Sequence, residues 1–244
     1  MTTELERARA RARLCFALDF PTSDEAAAVA RELQGAVGLV KVGLELYVAH
    51  GPEVVARMRA LGFEVFLDLK LCDIPATVER ATAQAARLGA RLLTVHALGG
   101  AAMLAAAVRA AGTSGTQIVA VTVLTSLDAG DLEALGLSRS PGEQVERLAA
   151  VAWGAGVRAF VCSPQELGRL RARFPEATLI APGIRLPGDA TGAGDQKRVA
   201  SPAEALAAGA DVLVVGRPIR DARDRRAAAD AVVDDMALGP RRLT

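Results

Sequence analysis

The sequence predicts an α/β fold, a (β/α)8 TIM barrel built as a single domain over residues 1–244. Three observations predict it. Eight apolar, strand-like runs recur along the chain with helical segments between them, and near-continuous apolar runs are what a parallel sheet covered on both faces demands. The 244 residues, 51% of them hydrophobic, match a barrel of roughly 250 residues. No Pro/Ser-rich linker or break in composition divides them. A doubly wound open sheet is the structural runner-up, and the count of eight strands and the lack of a Gly-x-Gly-x-x-Gly turn after the first strand argue against it.

Residues 2–12 read as an amphipathic helix expected to cover the barrel's lower end. The strands follow at 14–19, 39–43, 64–70, 92–97, 118–124, 157–162, 178–181 and 212–216. Ala-rich segments at 24–33 and 101–111 are good helix formers. Three helix starts share one form: Ser140-Pro141-Gly142-Glu143, Ser163-Pro164-Gln165-Glu166 and Ser201-Pro202-Ala203-Glu204. Each puts Ser at the N-cap, Pro at the first helical position and Glu where a capping box needs it.

Composition excludes several classes of function. The net charge of +1 gives no reason to invoke nucleic acid or an anionic membrane, and 3% aromatic content argues against base stacking. No apolar run approaches the ~20 residues of a membrane span. The charged start, Thr2 to Arg13, is not a signal peptide. Cys15, Cys72 and Cys162 are far apart and odd in number, so they read as reduced thiols of a cytoplasmic protein. With only His50 and His96 and no Cys-x-x-Cys, no zinc or other metal site is expected.

One stretch carries most of the chemistry: Phe66-Leu67-Asp68-Leu69-Lys70-Leu71-Cys72-Asp73-Ile74-Pro75-Ala76-Thr77. Strand side chains alternate faces, which puts Asp68 and Lys70 on one side. Asp73 follows the strand end, and Pro75 can open the next helix. Two carboxylates and an ammonium are thus expected to converge where strand becomes helix. Of 29 basic residues only Lys41, Lys70 and Lys197 are lysine. A compact ammonium that can give up a proton is something arginine does not provide.

Barrel active sites lie at the C-terminal strand ends. Those ends offer Asp19, Lys41, Asp68 with Lys70, His96, Thr125-Ser126, Pro182-Gly183-Ile184-Arg185 and Gly216-Arg217. The last two match the place where barrels bind phosphate, after strands 7 and 8. Arg217 offers a bidentate fork for it. The Gly-rich segment 186–200 reads as a lid over a phosphorylated ligand, with Gln196 able to donate from it. His96 reads equally as a core residue or a ligand contact.

These residues are familiar as a set. The chain resembles the orotidine 5′-phosphate decarboxylase family along its whole length. The match includes Phe16-Ala17-Leu18-Asp19, Lys41-Val42-Gly43 and Asp68-x-Lys70-x-x-Asp73-Ile74-Pro75 with Thr77. It continues through Val121 to Ser126, Pro182 to Arg185, Gly194-Asp195-Gln196 and Gly216-Arg217-Pro218. The resemblance implies cofactor-independent, metal-free decarboxylation of orotidine 5′-monophosphate to UMP, with Lys70 protonating C6. Asp68 would lie beside the substrate carboxylate. Lys41 and Asp19 would hold the ribose, and Lys41 and Asp73 would keep Lys70 charged and aimed. Thr125 or Ser126 would contact the pyrimidine. Pro182, Arg185, Gln196, Gly216 and Arg217 would form the phosphate side. The family's homodimer with shared active sites would send Asp73, Ile74 and Thr77 into the neighbouring subunit's site. Relatives with the same Asp-x-Lys-x-x-Asp core are Mg²⁺-dependent sugar-phosphate decarboxylases or aldolases. The Ile-Pro and Gly-Asp-Gln sequences here weigh against that alternative.

Overall fold

The structure is a computed structural model that describes residues 3–186 and 199–238. Eight strands close into a barrel in sequence order: β1 Leu14–Ala17, β2 Leu39–Val42, β3 Glu64–Leu71, β4 Leu92–His96, β5 Gln117–Val121, β6 Ala159–Val161, β7 Thr178–Ala181 and β8 Val212–Val215. All neighbours pair in parallel, and β8 returns to β1 through Val214 opposite Cys15. Helices on the outside bury the outward strand faces. The inward faces meet along the axis in a stack that includes Cys15, Leu39, Phe66, Leu92, Val119, Ala159, Ile180 and Val214.

Side-chain alternation then decides what stands one layer higher. Two residues beyond Leu39, Phe66 and Leu92 come Lys41, Asp68 and Thr94. Two beyond Val119 and Ala159 come Val121 and Val161. One half of the barrel mouth is therefore polar and the other apolar.

All eight expected strands are present, with differences at their ends. β5 stops at Val121, three residues early, because its pairing with β6 ends at Val121 opposite Val161. Thr122 then turns its hydroxyl onto the Val161 carbonyl at 3.2 Å. The caps at Ser140 and Ser201 are full capping boxes. Ser163 is different. It opens a single 3-10 turn, Pro164–Glu166, and its hydroxyl accepts from the Gln165 N–H. Glu166 is buried and forms no capping box with it.

The N-terminal helix runs Glu4–Arg13, and only its C-terminal end reaches the lower rim. There the Arg11 carbonyl accepts from Gly38 N–H at 2.8 Å, and Arg13 donates to the carbonyls of Ala210 and Asp211. A Cβ on residue 38 would stand 2.8 Å from Ala12 Cα, so glycine is needed there. The rest of the helix packs beside Arg225–Leu238, with Arg7 paired to Asp230 and Asp234. The expected cover over the barrel floor is thus a contact at its edge.

Arg171 ties together the connections that lead into β7 and β8. It donates to the carbonyls of Pro175, Ala177 and Gly209 and pairs with Asp211, whose carboxylate also accepts from Leu179 N–H. Truncating it strands several acceptors and one carboxylate. We predict that Arg171→Ala lowers unfolding free energy in urea by about 2–4 kcal/mol. A loss below about 1 kcal/mol would show that water replaces these bonds freely.

Candidate active site

A cavity of about 420 Å³ opens at the C-terminal end of the strands. Its polar wall carries Asp19, Lys41, Asp68 and Lys70. Its apolar wall carries Val121, Val123, Val161, Ile180 and Val214, with Phe66 also in the lining. Pro182, Gly183, Arg185, Gly216, Arg217 and Arg220 line the side that follows β7 and β8.

The charges form a chain. Lys70 Nζ donates to both oxygens of Asp68, at 2.8 and 2.9 Å. Lys41 Nζ lies 3.7 Å from Asp68 Oδ2 and donates to Asp19 Oδ1 at 3.1 Å. Asp68 and Lys41 have side chains only 13% and 14% exposed. Burial alone would lower the Lys41 ammonium, but the charges of Asp19 and Asp68 outweigh it and hold the group above its ordinary value.

Lys70 reaches Asp68 by a route that alternation does not describe. From Leu67 to Leu71 β3 advances four residues while β4 advances two, from Leu93 to Val95. Lys70 sits in this bulge with φ +50°. Such a conformation costs a non-glycine residue about 1–2 kcal/mol. Its N–H donates to Thr94 Oγ1 at 2.8 Å, and that hydroxyl donates to Asp68 Oδ1 at 3.0 Å.

At the β7 end, Gly183 takes φ +80°, a left-handed turn that suits glycine. Arg185 N–H and Gly183 C=O then bond Ala200, so the two ends of the intervening segment meet. Gln196, with the Gly194-Asp195 before it, lies outside the described residues. Arg217 opens the short helix Arg217–Arg220, and Arg220 lies three residues on, where both can face the cavity. Arg220 also pairs with Asp221 at 2.7 Å.

The expected residues thus divide. Asp19, Lys41, Asp68, Lys70, Thr125, Pro182, Arg185, Gly216 and Arg217 line one cavity. Ser126 is exposed and outside it. Asp73, Ile74 and Thr77 also lie outside it. Asp73 and Ile74 are exposed, and Asp73 Oδ1 accepts from Ile74 N–H at 2.6 Å. The convergence of Asp73 with Lys70 does not occur within this cavity. His96 ends β4 away from the lining, and its Nδ1 accepts from Leu98 N–H at 3.4 Å. Burial, then the Lys70 charge, lowers its basicity.

Sequence reasoning missed Thr94 and Arg220. Thr94 was detectable as the inward position two beyond Leu92, and Arg220 as the residue one helical turn after Arg217.

Five cations and two carboxylates round one mouth, facing an apolar wall, define a barrel suited to a small polyanion with a less polar part to set against that wall. The chain belongs to the Orotidine 5'-phosphate decarboxylase / HUMPS family, whose model matches residues 12–232. It is 57% identical over 221 residues to an orotidine 5'-phosphate decarboxylase of Anaeromyxobacter sp. (strain K), covering 90% of this chain and 96% of that protein. It is 51% identical over 227 residues to one from Thermobifida fusca (strain YX), covering 92% and 96%. The crystal structure of orotidine 5'-phosphate decarboxylase from Lactobacillus acidophilus superposes with a TM-score of 0.80 at 32% identity, covering 91% of this chain and 98% of that one.

Lys41 gives the site a pH signature. Its native-state pKa exceeds the ordinary 10.5, so the folded protein binds that proton more tightly than the unfolded chain. The resulting stability is fully present below about pH 10.5 and is lost as pH rises through the native value. Denaturation curves above pH 10.5 should fall more steeply for the unmodified protein than for Lys41→Met. Equal slopes would contradict this.

Proposed function

We propose that this chain converts orotidine 5′-monophosphate to UMP and CO₂, the last step of de novo UMP synthesis, with Lys70 as the proton donor. The observation that carries the residue assignment is the Lys70 ammonium, held by both Asp68 oxygens inside the cavity. The substrate is matched in charge. One carboxylate and a phosphate of about −2 oppose a lining of five cations and two carboxylates.

The phosphate sits at Arg185, Gly216 and Arg217, beside Pro182, and Gln196 joins them on its sequence position alone. Asp19 and Lys41 take the ribose hydroxyls. The ring lies against the apolar wall with Thr125 as its polar contact. This puts the C6 carboxylate beside Asp68, whose like charge opposes it. The C6–carboxyl bond breaks, CO₂ departs and the electron pair stays on C6. The Lys70 ammonium stabilises that pair, then transfers a proton from Nζ to C6, and solvent reprotonates the amine. A preformed cation in a site shut off from water is worth far more than one in bulk solvent. Lys41 balances Asp68 from its other side, so that two ammonium groups flank one carboxylate. Binding energy at the phosphate, remote from C6, offsets the cost of placing the carboxylate by Asp68.

The exposure of Asp73 and Ile74 outside their own cavity supports a homodimer in which Asp73, Ile74 and Thr77 complete the neighbouring site. Asp73 there helps hold Lys70 charged and aimed. The cytoplasm is the compartment this reading assigns, in keeping with three free cysteines. Nucleic acid and membrane play no part in it.

Lys70→Ala should lower turnover of orotidine 5′-monophosphate by more than about 10⁴-fold while UMP still binds. Unchanged turnover would refute the donor assignment. Equal mixing of Lys70→Ala and Asp73→Asn, each inactive alone, should restore up to about a quarter of native activity, because mixed dimers hold one intact site. No recovery despite demonstrated subunit exchange would refute the shared site.

A further inference from the structure

Thr94 is fully buried on β4, next to the cavity but not part of its lining. Its hydroxyl has two distinct partners on one neighbouring strand. It accepts the Lys70 backbone N–H at 2.8 Å and donates to Asp68 Oδ1 at 3.0 Å. A hydroxyl has a single proton to give. With the Lys70 N–H on a lone pair, that proton goes to Asp68. The same Asp68 oxygen accepts from Lys70 Nζ at 2.8 Å. One oxygen atom thus ties the backbone of Lys70 to the carboxylate that grips its ammonium. It does so where the β3–β4 register shifts and Lys70 adopts φ +50°.

We propose that Thr94 is a positioning residue for the decarboxylation, fixing the Lys70 bulge and the Asp68 carboxylate as one unit so that the ammonium stands where C6 will be. This rests on the reading of Lys70 as proton donor. Thr94 does not touch the substrate. It limits the rotation of Asp68 and the travel of Lys70, and catalytic geometry held by such outer partners degrades when they are removed.

Thr94→Val keeps the shape and deletes the hydroxyl. It should lower kcat by about 10–100-fold, the range typical of lost outer-shell partners. UMP affinity should stay within about twofold, because the groups that bind the ground state are untouched. Thr94→Ser keeps both bonds and should restore kcat to within about threefold of native. In an Asp68→Asn background Thr94→Val should cost less than alone, since the carboxylate it orients is gone. A purely structural role would lower melting temperature without separating kcat from binding.

Hydrogen exchange at the Lys70 amide, followed by NMR, needs no turnover. It should speed up in Thr94→Val and not in Thr94→Ser. If Thr94→Val does not fold, Thr94→Ala carries the same comparisons. A kcat within about twofold of native in the hydroxyl-free variant, or unchanged Lys70 exchange, overturns the proposal. A native protein that does not decarboxylate orotidine 5′-monophosphate overturns the proposed function instead, and the exchange measurement still decides whether Thr94 holds Lys70.

Discussion

A carboxylate that is nearly out of water must be given partners or protonated, and Asp68 is given three: Lys70, Lys41 and Thr94. Each comes from a different place in the chain, the first from the same strand and the others from the strands on either side. Satisfying Asp68 therefore fixes the relative heights of β2, β3 and β4 at the barrel mouth. It also fixes where two ammonium groups stand. Removing any one partner would leave a buried charge short of compensation, so the group behaves as a unit.

The barrel makes this arrangement affordable. Its inward faces below the charges are apolar and closely packed, and its opposite wall is valine and isoleucine. Few competing dipoles or waters can approach from beneath. The charges are therefore felt at the cavity, where the proposed reaction would bring a substrate carboxylate and form a carbanion. At the far side the ends of β7 and β8 supply guanidinium groups and glycine turns. The division follows from topology: the linked carboxylates and ammonium groups stand at the ends of strands 1 to 3, and the guanidinium groups follow strands 7 and 8.

Much of this was legible because a strand buried on both faces must be apolar, so charges inside such runs stand out. Lys41, Asp68 and Lys70 were visible for that reason, and so were the turns at Gly183 and Gly216. The bulge at Lys70 was not. Period two continues through the letters Asp68-Leu69-Lys70-Leu71, and nothing in them marks two extra residues against β4. The inward position of Thr94 could be read from alternation, but its use could not, since a β-branched residue suits a strand whether or not its hydroxyl is used. Arg220 was one arginine among 26. Asp73 sits three residues past Lys70 in sequence, yet the chain turns it outward, a change of direction that spacing alone does not encode. Ser163 carries the full capping-box letters, but Glu166 is drawn into the interior and the box does not form.

The central claim is that the linked charges of Asp19, Lys41, Asp68 and Lys70 carry out decarboxylation without a metal. The most direct test is the loss of orotate absorbance from orotidine 5′-monophosphate with the purified protein in excess EDTA, with the product identified. Rapid loss with stoichiometric UMP is the result the account predicts. No loss, with activity on a sugar phosphate appearing only when Mg²⁺ is added, would contradict it.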